Sequence, residues 1–234
     1  MDELNCQITQ FLRIKNPEQL KQFIPFDTLI KHILQDKNPV PGESAQWLMA
    51  PKLRMKQAQA LQHDKPPKIS AVLLPLYPYQ NESYFTLIQR NIYDGVHSGQ
   101  ISLPGGSRES IDDNLQQTAL REAKEEIGID VTKVKLLRAL STLYIPPSNF
   151  IVQPFVACVQ ERPAFIPDPH EVVDILEISL SDMLDDALIK EGPVKISMGA
   201  TIMAPYFDLH DKMVWGATAM ILSEFREWIK TLIG

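Results

Sequence analysis

Apolar residues in the first sixty or so positions recur every three or four residues, and this spacing predicts helices. Leu29, Ile33 and Leu34 are one such group. The sequence PVPG at 39–42 predicts a turn between helices, and KPP at 65–67 marks a border. We therefore predict an N-terminal helical extension over residues 1–66 and a second unit over residues 67–234.

Beyond residue 67 the pattern changes to short apolar runs that favour strands. The turn at 79–81 joins the first two runs, and periodic segments that favour helices lie between and after the strands. Mixed strands flanked by helices indicate an α/β (α+β) sandwich. The predicted strands cover residues 70–76, 84–89, 134–143, 150–159 and 172–178, with a hairpin over 195–207 and 213–215; the predicted helices cover 180–189 and 217–233.

Composition excludes several classes of protein. The net charge of −6 and the absence of a basic run with interleaved aromatic residues argue against a nucleic-acid partner. Two cysteines, a polar start and no apolar run approaching about 18 residues argue against a disulfide framework, a signal peptide and a membrane span. We expect a cytoplasmic protein without a membrane partner.

Three carboxylates stand close together in the sequence REAKEEIGI at 121–129. At about 100° per residue, Glu125 lies about 60° to one side of Glu122 and Glu126 about 40° to the other, so the three share one face of a helix. Like charges at these spacings repel, whereas a divalent cation reverses the sign of the interaction. Carboxylate oxygens suit Mg²⁺ or Mn²⁺.

Exposed ion pairs on a solvated helix face are the ordinary alternative for such a run. The surrounding residues favour a site instead. Asp112 and Asp113 are placed to cap the start of the helix, and Gly128 is placed to end it. The sequence LPGG at 103–106 allows backbone to approach a ligand. The block therefore predicts a metal site that receives a phosphate group.

These residues resemble the Nudix box, in which a glycine and an acidic residue precede Arg-Glu, a spacer, Glu-Glu and a final glycine. Gly106 stands fifteen positions before Arg121, one more than in the usual box, and this extra residue is typical of the coenzyme A pyrophosphatase branch. Asp112 takes the place of the first glutamate. The resemblance implies a Nudix-type α/β/α sandwich with a mixed sheet, here preceded by the helical extension.

Three further segments resemble the same branch: 41–54, 85–106 and 143–150. Departures from its signature fall on Asn91, Gly95 and Leu103. The resemblance implies an acid anhydride hydrolase that cuts coenzyme A or its derivatives to 4′-phosphopantetheine and adenosine 3′,5′-bisphosphate. It also implies a small nucleotide as partner. From these segments we predict that the substrate contacts Arg54, Arg90, His97, Ser148 and Asn149.

Within the box, we predict that Glu122, Glu125 and Glu126 hold Mg²⁺ or Mn²⁺, together with a backbone carbonyl from Gly105 or Gly106. Arg121 stands four residues before Glu125 and is predicted to orient it. Glu122, Glu125 and Arg121 form the predicted catalytic set. Asp112 either joins this group or caps the helix, and we favour capping. The general base stays open among Glu122, Glu171 and Glu177.

Two other functions remain open at this point. ADP-ribose, NADH and related compounds contain the same diphosphate, so the substrate could be another nucleoside diphosphate derivative. A Nudix fold can also serve as a ligand-sensing module without turnover, although all three box glutamates are present. The sequence leaves a homodimer open and does not choose between Mg²⁺ and Mn²⁺.

Overall fold

The structure is a computed structural model, and it describes residues 25–52, 63–92, 98–196 and 200–233. The described part of the chain contains two β-sheets and five α-helices. The helices are α1 (Phe26–Gln35), α2 (Glu43–Trp47), α3 (Leu115–Ile127), α4 (Leu180–Leu184) and α5 (Gly216–Ile233). The strands are β1 (Lys68–Tyr79), β2 (Glu82–Arg90), β3 (Ile101–Ser102), β4 (Gly105–Ser107), β5 (Lys135–Ala139), β6 (Leu143–Ile145), β7 (Phe150–Cys158), β8 (Val172–Ser179), β9 (Ile189–Lys195), β10 (Thr201–Leu209) and β11 (Lys212–Trp215).

The larger sheet is mixed and has β1 near its centre. Its main path runs β3-β2-β1-β7-β5, while β4 pairs with β1, β6 with β7 and β8 with β2. Strands β1 and β7 run parallel, with Lys68 opposite Phe150 and Leu76 opposite Cys158. The other pairs in this sheet are antiparallel. Parallel neighbours need a crossover connection, and α3 lies within the one between β1 and β7.

Helices cover both faces of this sheet, so β1 buries side chains on each side. Leu73 and Tyr77 belong to the core under α3. Leu74 and Leu76 belong to the opposite core, which includes residues of α1 and α5. The predicted α/β sandwich with a mixed sheet is therefore confirmed.

The predicted hairpin near the C-terminus is a three-stranded sheet, in the order β11-β10-β9. The helix predicted over 180–189 was too long: α4 ends at Leu184, and Ile189 already pairs with Phe207. A second short turn follows α4 because the Asp185 side chain accepts a hydrogen bond from the Ala187 N–H. This side-chain-to-backbone hydrogen bond ends the helix before residue 189, as is usual for aspartate in turns.

The described N-terminal helices pack into the same core as the larger sheet. Phe26 and Leu29 of α1 are buried in the cluster that contains Phe225 and Trp228 of α5. The border near residue 66 stays a prediction. No helix among the described residues is both long and apolar enough to cross a membrane.

Candidate active site

Helix α3 begins and ends through local contacts at its two ends. The Asn114 side chain accepts a hydrogen bond from the Gln117 N–H at 3.0 Å. Gly128 ends the helix in the left-handed conformation, at φ 68°. The end was predicted, whereas the caps assigned to Asp112 and Asp113 were wrong. Asn followed three residues later by Gln resembles a capping-box spacing, which is a signal that could have identified the true cap.

The apolar face of α3 holds the carboxylates at the edge of the sheet. Ala119, Ala123 and Ile127 are fully buried against the strands beneath. The carboxylates beside this face differ in exposure: the Glu125 side chain is 59% exposed, that of Glu122 14% and that of Glu126 1%. The helix therefore packs into the core on one face and presents three glutamates of different exposure beside it. We call Glu122, Glu125 and Glu126 the acidic edge.

Arg121 connects the acidic edge to the preceding loop. Its Nη1 donates to Glu122 Oε1 at 2.9 Å and to Glu125 Oε2 at 3.0 Å. Its Nη2 donates to the Ser107 carbonyl at 3.0 Å, and Nε and Nη2 both donate to Asp112. The guanidinium is thus fixed on three sides, and two box glutamates are oriented by one cation.

Asp112 belongs to this ion-pair network rather than to a helix cap. It is buried, and it also accepts hydrogen bonds from the Glu109 N–H and the Thr118 hydroxyl. The bonds from Arg121 hold the pKa of the Asp112 carboxyl well below its usual range, despite burial. Asp112 therefore stays ionised and keeps Arg121 in place.

Glu122 lies directly over Gly106. A Cβ atom added at Gly106 would come within 2.5 Å of the Glu122 carboxyl. Burial raises the pKa of Glu122, and the negative charges of Glu125 and Glu171 add to this effect against the opposing influence of Arg121. The absence of a side chain at position 106 is what allows this carboxylate to reach the β4 backbone.

Glu126 is buried between β4, which contains Gly105 and Gly106, and β2. Its Oε2 accepts a hydrogen bond from the Gly105 N–H at 2.7 Å, and its Oε1 lies 3.1 Å from Arg90 Nη1. Burial raises the pKa of Glu126 to about 7, and the charges of Glu122 and Glu171 push in the same direction. A carboxylate with this environment accommodates negative charge poorly unless a cation is near.

The acidic edge suits a hard divalent cation, because its donors are carboxylate oxygens and its negative charges lie close together. Glu122, Glu125 and Glu126 offer carboxylate oxygens, which are the donors that Mg²⁺ and Mn²⁺ prefer. Within the described ranges no three acidic, histidine or cysteine side chains converge on one point. Glu122 and Glu125 meet at Arg121, and Glu126 meets Arg90. The two arginines balance the charge in this arrangement.

Of the two further candidates for a general base, the structure separates Glu171 from Glu177. Arg162 donates twice to Glu177, at 2.8 and 2.6 Å, and the Tyr77 hydroxyl donates once, at 2.9 Å. Glu177 is therefore committed to its own ion pair. Glu171 is exposed, and its charge contributes to the raised pKa of both Glu122 and Glu126.

The residues predicted to contact substrate have diverse positions. Arg54 and His97 lie outside the described residues, as does Gly95. Arg90 reaches the acidic edge, where it pairs with Glu126 instead of standing free. The predicted substrate contacts at these positions stay predictions.

The loop that carries Ser148 and Asn149 is held by its own contacts. The Ser148 hydroxyl is buried and has no partner among the described residues. Asn149 adopts the left-handed conformation, accepts a hydrogen bond from the Tyr144 hydroxyl and donates to the Lys65 carbonyl. In this structure the Asn149 side chain shapes the loop, so its predicted contact with substrate would require these bonds to open.

Comparison with known proteins agrees with the resemblance seen in the sequence. The NUDIX domain family model matches residues 67–196. Nudix hydrolase 15, mitochondrial, of Arabidopsis thaliana is 33% identical over 163 residues, which are 67% of this chain and 56% of that protein. The chain thus spans little more than half the length of this relative.

A bacterial relative is matched over more of its length. The protein named "Uncharacterized Nudix hydrolase NudL" of Pectobacterium atrosepticum is 31% identical over 156 residues, covering 66% of this chain and 79% of that protein. Among solved structures, the M. smegmatis Nudix hydrolase RenU has a TM-score of 0.51 at 18% identity, covering 71% of this chain and 88% of that one. The likeness to RenU shows the fold.

Members of this family generally hydrolyse the diphosphate of nucleoside diphosphate derivatives and use divalent cations such as Mg²⁺ or Mn²⁺. With its family model, its relatives and the acidic edge of α3 in agreement, this chain belongs to the Nudix hydrolase family.

Proposed function

We propose that this protein hydrolyses the diphosphate of coenzyme A or its derivatives, releasing 4′-phosphopantetheine and adenosine 3′,5′-bisphosphate. One relationship carries the proposal. The segment 85–106 resembles the coenzyme A pyrophosphatase branch, and two of its residues contact one carboxylate. Arg90 and Gly105 both contact Glu126, at 3.1 and 2.7 Å. The branch-like segment is therefore built into the acidic edge.

The acidic edge supports the reaction through three glutamates with separate environments. Glu122, Glu125 and Glu126 would hold the divalent cation, with a backbone carbonyl of Gly105 or Gly106 as a further donor. When bound, Mg²⁺ or Mn²⁺ would neutralise the diphosphate and lower the pKa of a water molecule toward neutrality. Arg121 keeps Glu122 and Glu125 in orientation, and it is held in turn by Asp112.

In the proposed reaction the water oxygen forms a bond to one phosphorus atom while the bridging P–O bond breaks. The bridging oxygen leaves with the other phosphate, and a carboxylate accepts the proton of the water. Glu171 is the residue we propose for this proton, because it is exposed and its charge reaches Glu122 and Glu126. No covalent intermediate with the protein is required.

The test is to incubate the purified protein separately with coenzyme A, ADP-ribose and NADH, in Mg²⁺ or Mn²⁺, and identify products by mass spectrometry. Preferential release of 4′-phosphopantetheine and adenosine 3′,5′-bisphosphate is the expected result. Preferential cleavage of ADP-ribose or NADH would overturn the assignment of coenzyme A as substrate but leave the proposed diphosphate hydrolysis intact. Absence of turnover with all three, together with saturable binding of one, would favour a ligand-sensing module.

A further inference from the structure

Residues 166–171 form a loop that packs against the C-terminal end of α3, and we call it the crossing loop. The Ile166 N–H donates to the Ile127 carbonyl at 2.9 Å, and the Asp168 N–H donates to the Glu126 carbonyl at 3.0 Å. These carbonyls belong to the last turn of α3, where no partner is available within the helix. The crossing loop is therefore fixed to the helix that holds the acidic edge.

Asn91, which directly follows β2, holds the other end of the crossing loop. Its N–H donates to the Glu171 carbonyl at 2.8 Å, and its side-chain Nδ2 donates to the His170 carbonyl at 3.1 Å. Its Oδ1 accepts a hydrogen bond from the Ile92 N–H at 2.8 Å, which fixes the orientation of the amide. One residue thus binds two consecutive carbonyls of the loop.

Asp168 also shapes the crossing loop from within. Its Oδ1 accepts a hydrogen bond from the His170 N–H at 2.7 Å, and its carbonyl accepts from the N–H groups of Glu171 and Val172, at 3.2 and 2.8 Å. Val172 is buried and is the first residue of β8. The backbone of Glu171 is therefore held at its N–H by Asp168 and at its carbonyl by Asn91.

Both anchors of the crossing loop are connected to the acidic edge. Arg90, which precedes Asn91, pairs with the Glu126 carboxylate at 3.1 Å, and the carbonyl of Glu126 accepts the Asp168 N–H. The charge of Glu171 adds to the effect of burial in raising the pKa of two glutamates of the acidic edge. Because Glu171 is exposed, packing contributes little to its position, which depends on the backbone that the two anchors hold.

We propose that Asn91 and Asp168 are positioning residues, which hold Glu171 beside the acidic edge so that its carboxylate can accept the proton of the attacking water. This assignment rests on the proposed function, in which Glu171 is the general base, and it adds two residues outside the Nudix box. Neither residue touches the reacting atoms. A displaced general base slows the chemical step while substrate binding is retained.

Variants of Asp168 test the anchor within the loop. Asp168→Ala removes the acceptor of the His170 N–H, whereas Asp168→Asn keeps an oxygen there. We expect Asp168→Ala to lower kcat about tenfold with KM unchanged, and Asp168→Asn to restore kcat to nearly the wild-type value. Asp130→Ala is the matched control, because the exposed Asp130 accepts in the same way from the N–H of Thr132, two residues ahead. It should change neither kcat nor KM.

Asn91→Ala tests the second anchor, since it removes the side-chain bond to His170 and keeps the backbone bond to Glu171. We expect kcat to fall about tenfold with KM unchanged. In the Glu171→Gln background Asn91→Ala should cause no further loss, because both changes act through one base. Amide hydrogen exchange without substrate gives a second measurement: it should be faster over residues 168–172 in Asp168→Ala and in Asn91→Ala.

The kinetics use whichever of coenzyme A, ADP-ribose and NADH is cleaved fastest, so a wrong substrate assignment does not affect this test. If Glu171→Gln is slow but Asn91→Ala and Asp168→Ala are normal, the positioning role is wrong and the proposed function stands. Losses that persist in the Glu171→Gln background, or unchanged hydrogen exchange, would also overturn the positioning role. Normal kcat in Glu171→Gln would remove the base and the positioning role but leave diphosphate hydrolysis. Absence of turnover with all three substrates would overturn the function as well.

Discussion

Arg121 Nε and Nη2 each lie 3.0 Å from a different carboxylate oxygen of Asp112, so the two side chains form a bidentate pair. Both partners are largely buried, with exposed side-chain fractions of 14% and 3%. Because the same guanidinium also binds Glu122 and Glu125, the pair determines where two of the box glutamates point.

Replacing Asp112 with Asn should destabilise the fold, because it leaves a buried guanidinium without its principal counter-ion. We expect the free energy of unfolding to fall by about 3 kcal/mol. Urea denaturation followed by circular dichroism would measure the loss. Asp113→Asn is the control, since Asp113 is exposed and should change stability by less than about 0.5 kcal/mol.

The effect of Asp112 should also depend on pH in a defined direction. Its pKa is lowered in the folded state, so the unfolded chain binds a proton first as the pH falls. The stabilisation is fully present above about pH 4, near the unfolded pKa, and decreases at lower pH. The difference in unfolding free energy between wild type and Asp112→Asn should thus be constant from pH 5 to 8. A difference that grew on acidification would contradict the assignment.

Glu122→Gln should remove most turnover while substrate still binds. The amide cannot supply the negative charge beside Gly106, and we expect kcat to fall roughly 100-fold or more. Steady-state kinetics with a folding check by thermal denaturation would measure this. Near-normal kcat in the variant would exclude the proposed role of Glu122.

Gly106→Ala should reduce kcat without unfolding the protein. The new methyl group would meet the far end of the Glu122 side chain, which can move, and not the backbone. We expect a roughly 10- to 100-fold loss of kcat from the displaced carboxylate, and about 1 kcal/mol or less in stability. The double variant with Glu122→Gln should be no slower than Glu122→Gln alone, because both changes act on one group. Additive losses would show a separate role for Gly106.

Glu171 and Glu177 provide a matched pair for the general base. Glu171→Gln should lower kcat roughly 100-fold and remove a limb of the pH–rate profile. Glu177→Gln should leave kcat near the wild-type value, because Glu177 is held by Arg162 and Tyr77. Equal kcat losses in the two variants, or none in Glu171→Gln, would reject Glu171 as the base.

Glu224→Gln should loosen the attachment of the N-terminal helices to α5. The buried Glu224 carboxylate accepts hydrogen bonds from the Gly42 N–H, Gln46 Nε2 and the Ser141 N–H. The NH₂ group of a glutamine in its place would face these N–H donors, and we expect the free energy of unfolding to fall by about 2 kcal/mol. Faster amide hydrogen exchange over residues 42–49 would reveal the loosening. Glu227→Gln on the same helix is the control, since its ion pairs are partly exposed and should matter little.

The parts of the molecule that short-range patterns determine were predictable. The glycine that ends α3, the turn after β1 and the helix that closes the chain all follow from neighbours a few residues apart. The arrangement of the three glutamates on α3 is of the same kind, because helix geometry alone sets it.

The contacts that long-range packing determines were not predictable. Spacing suggested a cap for Asp112, but its carboxylate binds the guanidinium of Arg121, and Asn114 caps the helix instead. Nothing in the sequence near Arg90 indicates that Glu126, thirty-six residues later, neutralises it. Strand β9 was missed because the helical pattern over 180–189 continued into its first residue, and its pairing with β10 was predicted to begin only at its last.

The parallel pairing of β1 with β7 also determines when the site can form. Lys68 and Phe150 meet only after roughly 80 residues of chain have been closed into a loop, and that loop contains β4 and α3. Closing such a loop is costly in entropy and typical of slow-folding topologies. Gly106 is paired with β1, and α3 packs against β1 and β7. In a chain where only local structure has formed, these strands are not yet paired, so the glutamates of the acidic edge are not held in position. Activity should therefore return late in refolding, after the helices have regained their ellipticity.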